Sequence, residues 1–143
     1  MKTIYLNTLD KLGELPTIQY ADRDRGQIDK YEGKPAVKFP CCLISVSLPK
    51  RKNLDTHTQL CNVTVTLRFA FERLNDASNI ASETRRAQAV KYYDTVEAAE
   101  TLFQGWNCGG KTSPLECTAT VDEQRPDMDI VRFTFTGTYV KDI

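Results

Sequence analysis

The sequence predicts an α+β domain: an antiparallel β-sheet with one long helix packed across its apolar face and a short helix at the amino end. Three observations carry this. From 61 to 71 every odd position is apolar (Cys61, Val63, Val65, Leu67, Phe69, Phe71) and the even positions read Asn62, Thr64, Thr66, Arg68, Ala70. That period of two marks a strand with one buried face. Residues 131–139 repeat it, with Val131, Phe133, Phe135 and Tyr139 against Arg132, Thr134, Thr136 and Thr138. Between them, Val90, Tyr93, Val96, Ala99, Phe103 and Trp106 recur near helical spacing.

In chain order, 4–15 reads as a helix, with Leu6, Leu9 and Leu12 spaced by three and Tyr5 and Leu15 flanking. Pro16 stops it, because the residue before a proline avoids the helical region. Residues 17–36 alternate weakly around the turn signal Asp22-Arg23-Asp24-Arg25-Gly26, which predicts a mobile β-hairpin or arm. A strand follows over 36–48, with Pro40 near its start and Cys42, Ile44, Val46 and Leu48 on one face. Residues 49–57 read as a polar loop. The strand 61–71 would span roughly 37 Å at strand rise, so its ends should project past the core of so small a domain. Residues 74–81 form a linker. Ser82-Glu83 gives a hydroxyl cap and a first-turn carboxylate for a helix running to Gln104, and Gly105 ends it. A closing hairpin places Leu115, Cys117, Ala119 and Val121 on one face of its first strand. The predicted order is α-(ββ)-β-β-α-β-β, in a single domain over 1–143.

With 143 residues the chain suits one domain. Nineteen Lys+Arg balance nineteen Asp+Glu, which argues against a protein held mainly by nucleic-acid phosphates. No apolar run approaches the length of a membrane span, and Met1-Lys2-Thr3-Ile4-Tyr5-Leu6-Asn7 has no secretory apolar stretch. A soluble protein with no membrane partner is expected, beginning in a reducing cytosol.

Five cysteines (Cys41, Cys42, Cys61, Cys108, Cys117) leave at least one unpaired, and there is no Cys-x-x-Cys and only one histidine. Neither a zinc site nor any other cofactor is predicted, and most cysteines should be small core hydrophobes. His57 and Cys61 would stand roughly 13 Å apart on a strand, too far for proton transfer. The chain carries no Gly-rich phosphate loop, Gly-x-Ser-x-Gly or His-Glu-x-x-His, so no catalytic residue is assigned. Cys108, in Trp106-Asn107-Cys108-Gly109-Gly110, is the one cysteine in a glycine loop and so the one expected to be exposed. A reactive thiol there is the enzymatic alternative.

The order of elements resembles the tail terminator, or tail-completion, proteins of long-tailed bacteriophages and prophages. The resemblance rests on the segments 4–15, 37–48, 59–72, 82–105 and 115–140, and on the closing strand Asp129-Ile130-Val131-Arg132-Phe133-Thr134-Phe135-Thr136-Gly137-Thr138-Tyr139. It is a likeness of pattern over nearly the whole chain, without an invariant motif. It implies a structural virion protein, present in the host cytoplasm during assembly. Copies would form a ring, commonly a hexamer, that caps the tail tube and joins it to head-neck proteins. DNA would only pass through the ring. No catalysis and no cofactor are implied. The candidate interaction loops are Arg23 and Arg25 in the arm, and Lys50, Arg51, Lys52 and Asp55 in the polar loop. Charge runs of this kind are often merely solvated. A small non-catalytic ligand- or protein-binding α+β module is the alternative, and a closed apolar pocket under the long helix would favour it.

Overall fold

The computed structural model describes residues 1–73 and 77–143. The elements run α1 (Lys2–Leu12), β1 (Tyr20–Arg23), β2 (Cys41–Asn53), β3 (Thr58–Glu72), α2 (Glu83–Ala89), α3 (Tyr92–Phe103), β4 (Glu116–Asp122) and β5 (Met128–Asp142). The fold is α+β, as the patterning predicts. The five strands form one sheet in the order β1-β2-β3-β5-β4. It is mixed and not purely antiparallel, because β1 runs parallel to β2.

That parallel pair overturns the expected hairpin at 17–36. A parallel partner needs a crossover, which a tight turn cannot supply. Only residues 20–23 form a strand, and the chain over 24–40 makes the crossover without a second one. It runs over the sheet face opposite the helices, where Ile28 is fully buried with Cys41, Leu43, Ala70, Met128 and Ile130.

The alternation in β3 and β5 is realised as read. Val63, Val65, Leu67, Phe69, Phe133 and Phe135 are at most 1% exposed and form the core of the helix face. Phe69 meets Phe133 edge-on, with ring centroids 6.0 Å apart. Two helices cover this face, α1 through Ile4 and Leu12, and α3 through Val96, Ala99 and Phe103.

The single long helix expected over 82–104 is broken at Val90, whose φ of −94° and ψ of 3° leave the helical region. Ser82 caps α2 as expected, its hydroxyl accepting from Arg85 N at 3.2 Å. However, α2 buries no side chain, so no apolar stripe on it continues that of α3. The buried stripe is Tyr92, Val96, Ala99 and Phe103, at i, i+4, i+7 and i+11. Tyr92 lies against Phe71 at 5.3 Å between ring centroids, while Val90 and Tyr93 are exposed. The linker expected at 74–81 lies partly outside the described residues.

The first helix also differs. It ends at Leu12, and its buried stripe is Ile4, Thr8 and Leu12, with Leu6 facing solvent. The Thr8 hydroxyl donates to Ile4 O at 2.7 Å, which satisfies a buried polar group that looks like a surface residue in sequence.

The polar loop expected at 49–57 is mostly strand. Strand β2 continues to Asn53, and the turn is confined to 54–57. Two residues, Leu48 and Pro49, oppose Val63 alone, and this bulge reverses the facing of every later β2 residue. A second shift, between Cys117 and Ala119, turns Ala119 and Val121 away from the helix face on which Cys117 lies. Gly137 lies close under its neighbours on that face: a Cβ there would come 3.0 Å from Leu115 Cδ2 and 3.1 Å from Ser113 Oγ, so both side chains would have to give way slightly.

Candidate functional site

The face of the sheet opposite the helices divides in two. At one end, the segment 24–31 and the loop 123–127 fold down over Leu43, Arg68 and Ile130. Arg68, expected on a solvated face, is 8% exposed at the centre of this region. Its two terminal nitrogens donate to both oxygens of Asp29 at 2.9 Å. Nε and Nη2 donate to Glu123 at 2.8 and 2.9 Å, and Nη1 also reaches Asp24 at 3.2 Å. Five donor hydrogens meet five acceptor contacts, so the guanidinium is saturated. Burial alone would lower its pKa. Its bonds to Asp29, Glu123 and Asp24 outweigh burial and raise it, so the group stays charged.

Arg125 completes the clasp. It donates to Ile28 O, to Asp29 and to Asp127. Its hydrogen bond holds the Asp127 carboxyl down at about 2. The bond from Arg68 likewise lowers Asp29. A guanidinium engaged this completely has no donor left for an anionic substrate, so its role is to pin two loops to the sheet. A sequence signal exists: the even positions of β3 change from Thr64 and Thr66 to Arg68 and Ala70, where the solvated face ends.

Beyond Arg68 the same face is bare. Its rows across the strands are Ser45, Thr66, Thr134 and Ala119; then Ser47, Thr64, Thr136 and Glu116; then Lys50, Asn62 and Thr138; then Lys52, Leu60 and Val140. None of these side chains is buried. Strand β1 pairs only with residues 41–44 of β2, so the outer edge of β2 from 45 to 53 has no partner strand among the described residues.

The candidate interaction residues fall as follows. Arg23 ends β1 beside the start of that free edge and lines a shallow groove with Lys2, Ile44 and Val46. Lys50, Arg51 and Lys52 lie farther along β2, in the strand and not in a loop. By register, Lys50 and Lys52 belong to the bare face, whereas Arg51 belongs to the helix face and donates from Nε to Gln59 at 2.8 Å. The structure thus strings Arg23, Lys50, Arg51 and Lys52 along one flank. Arg25 is tied to Asp22 at 2.8 Å, and Asp55 caps the 54–57 turn by accepting from His57 N at 2.8 Å.

Cys108 does not sit in the open. It is fully buried, its sulfur 3.8 Å from Ile4 O, and desolvation raises its pKa. The glycine loop supplies the positive φ values at Gly109 and Gly110 that fold the thiol under α1, and Cys108 itself has a φ of 55°. All five cysteines are free, and Cys117 is the one that is partly exposed. Burial also pushes the Cys41 thiol up to about 11. Among the described residues, no group of three His, Cys, Asp or Glu is placed to hold a metal. No helix of the described residues is long and apolar enough to cross a membrane.

Under α3 the space is filled by Val96, Ala99, Phe103 and the phenylalanines of the sheet. A cleft of about 590 Å³ lies instead at the sheet end. Phe39, Pro40, Phe71 and Tyr92 supply its apolar wall, and Glu72, Asp94 and Asp129 its rim. No protein-family model matches the chain, and no curated protein matches it.

Proposed function

We propose that this chain is a structural virion protein of the tail-terminator type, whose copies form a ring at the end of a tail tube and present a surface to the head-neck proteins. The observation that carries this reading is the bare half of the sheet. Strands β2, β3 and β5 run well past the clasped end, and leave a hydroxyl-rich face and a free β2 edge without cover from the described residues. The Ser and Thr side chains of these three strands cost little to expose, yet they hold a flat, rigid surface for a neighbour. The rows at Ser45 and Ser47 carry no positive charge, which suits a wall that DNA passes without being held. In this reading the protein is not an enzyme and takes no cofactor. Its partners are copies of itself, the tube protein and the neck.

The test is tube capping. Purified chain is added to polymerising tube protein encoded beside its gene, and tube length is read by negative-stain electron microscopy. Short tubes ending in a ring support the proposal, and unchanged tube growth contradicts it. The cleft at Phe39 and Tyr92 favours a second reading, a small non-catalytic binding module. It is open and rimmed by Glu72, Asp94 and Asp129, and is not the closed apolar pocket that such a module would show under the helix.

A further inference from the structure

The cleft of about 590 Å³ lies where three strand ends meet: β2 begins after Pro40, β3 ends at Glu72 and β5 begins at Met128. Phe71 and Asp129 are paired across β3 and β5, and Tyr92 at the start of α3 lies on Phe71 with ring centroids 5.3 Å apart. Phe39 packs on the core beneath the crossover, whereas Phe71 and Tyr92 pack on the core beneath the helices. The cleft is thus the seam between the two cores. Phe39 and Tyr92 are each only half-buried, so aromatic surface stays open to a ligand.

Carboxylates rim this aromatic wall. Glu72 and Asp94 are exposed, and neither carboxylate has a hydrogen-bond or ion-pair partner among the described residues. Asp129 accepts from Arg73 at 2.6 and 3.2 Å, but both contacts fall on Oδ1, and Oδ2 has no partner among the described residues. Two cations stand here, Lys91 in the lining and Arg73 beside it. Against them are the three rim carboxylates and Asp122, so four acidic groups face two basic ones. Burial, the neighbouring Tyr93, and the charges of Asp129 and Asp122 together raise the pKa of the Tyr92 hydroxyl, which keeps the ring neutral.

Aromatic faces with free carboxylates around them attract a cation. We propose that this cleft receives one arginine side chain from a basic segment of a partner protein, the guanidinium lying against Tyr92 and donating to the carboxylates of the rim. Arginine is favoured over lysine because its planar fork stacks on a ring and pairs two oxygens at once. Asp129 already holds one guanidinium, that of Arg73, through Nε and Nη2. A partner segment is favoured over a free amine because the mouth is open. A small cation there keeps water on its outer side, whereas the surface around a docked side chain excludes water and strengthens the contacts inside. The volume lies in the usual ligand range of about 300–1,000 Å³, room for the side chain and the backbone beside it. The cleft is at the clasped end of the sheet, away from the bare rows, so it can be filled whether or not copies form a ring.

Titration of the full chain, followed by nuclear magnetic resonance, tests this with an N-acetylated, amidated Gly-Arg-Gly peptide. The peptide should shift the backbone amides of 71–72, 92–95 and 129 saturably, with a dissociation constant in the millimolar range. The same peptide with citrulline, the neutral isostere of arginine, should bind about tenfold more weakly or worse. Glu72→Gln combined with Asp94→Asn removes the two unpaired carboxylates at exposed positions, with circular dichroism to confirm the fold. This double variant should weaken the arginine peptide by about tenfold or more. Methylguanidinium should bind more weakly than the peptide. Absence of saturable shifts, shifts centred outside the cleft, equal binding of the citrulline peptide, or undiminished binding by the double variant overturns the proposal. Methylguanidinium that binds as tightly as the peptide overturns the choice of a protein segment in favour of a free cation.

Discussion

One strand, β3, passes through two environments. It is hydrogen-bonded to β2 on one side and β5 on the other along nearly its whole length. At Arg68 and Ala70 it is covered on both faces. At Asn62 and Thr64 the face opposite the helices is bare. The backbone bonding is the same, so the difference between these ends comes from side chains and from the loops clasped over them. One end is built to hold the fold. The other is a surface supported by it.

The contrast can be broken most severely at Arg68. Replacing it with Met leaves Asp24, Asp29 and Glu123 without their shared partner beneath two loops, and should cost about 3–5 kcal/mol in urea unfolding. Phe133→Ala removes a ring that is fully buried against Phe69 and Phe135, and should cost a similar 3–5 kcal/mol by the same measurement. Arg132, half exposed and 3.8 Å from Glu123, should matter far less.

Much of this contrast is legible in the sequence, and the rest is hidden for physical reasons. The alternation in β3 and β5 survives because both strands bury one face along most of their length. The stripe of α3 is legible at Val96, Ala99 and Phe103 but misplaced at its start, since Tyr92 and Tyr93 are equivalent in sequence and only the packing on Phe71 selects the first. Val121 is assigned to the wrong face because it lies beyond a bulge, and a one-residue shift turns every later side chain over; Lys52 reads as loop because the bulge at Leu48 and Pro49 interrupts the alternation before β2 ends. The clasp is hidden most completely. Asp24 sits in a turn signal, Asp29 in the weakly alternating arm and Glu123 at the end of the first strand of the closing hairpin, and only the parallel placement of β1 brings the crossover back over Arg68. At the candidate surface, the cations were legible as a group, but their strand and free edge were not.

Acid should act on the clasped end. Asp29 and Asp127 are held below the usual carboxylate range by Arg68 and Arg125, so folding is favoured wherever these groups are ionised. Their contribution is complete above about pH 5 and is lost as the pH falls through 4 toward 2. The urea midpoint should follow that course, and Arg125→Gln should flatten it. The smallest effects belong to the bare end. Thr64→Ala and Thr136→Ala should each change stability by no more than about 0.5 kcal/mol.

Hydrogen exchange along β3 asks the question at its source. In dilute protein, the amides at 59–62 should exchange through local opening, well before those at 67–70, which should wait for global unfolding. At high protein concentration the gap should narrow as neighbours cover the bare end. Uniform protection along β3, unchanged by concentration, would mean that the strand has no second environment and that the exposed half awaits no partner.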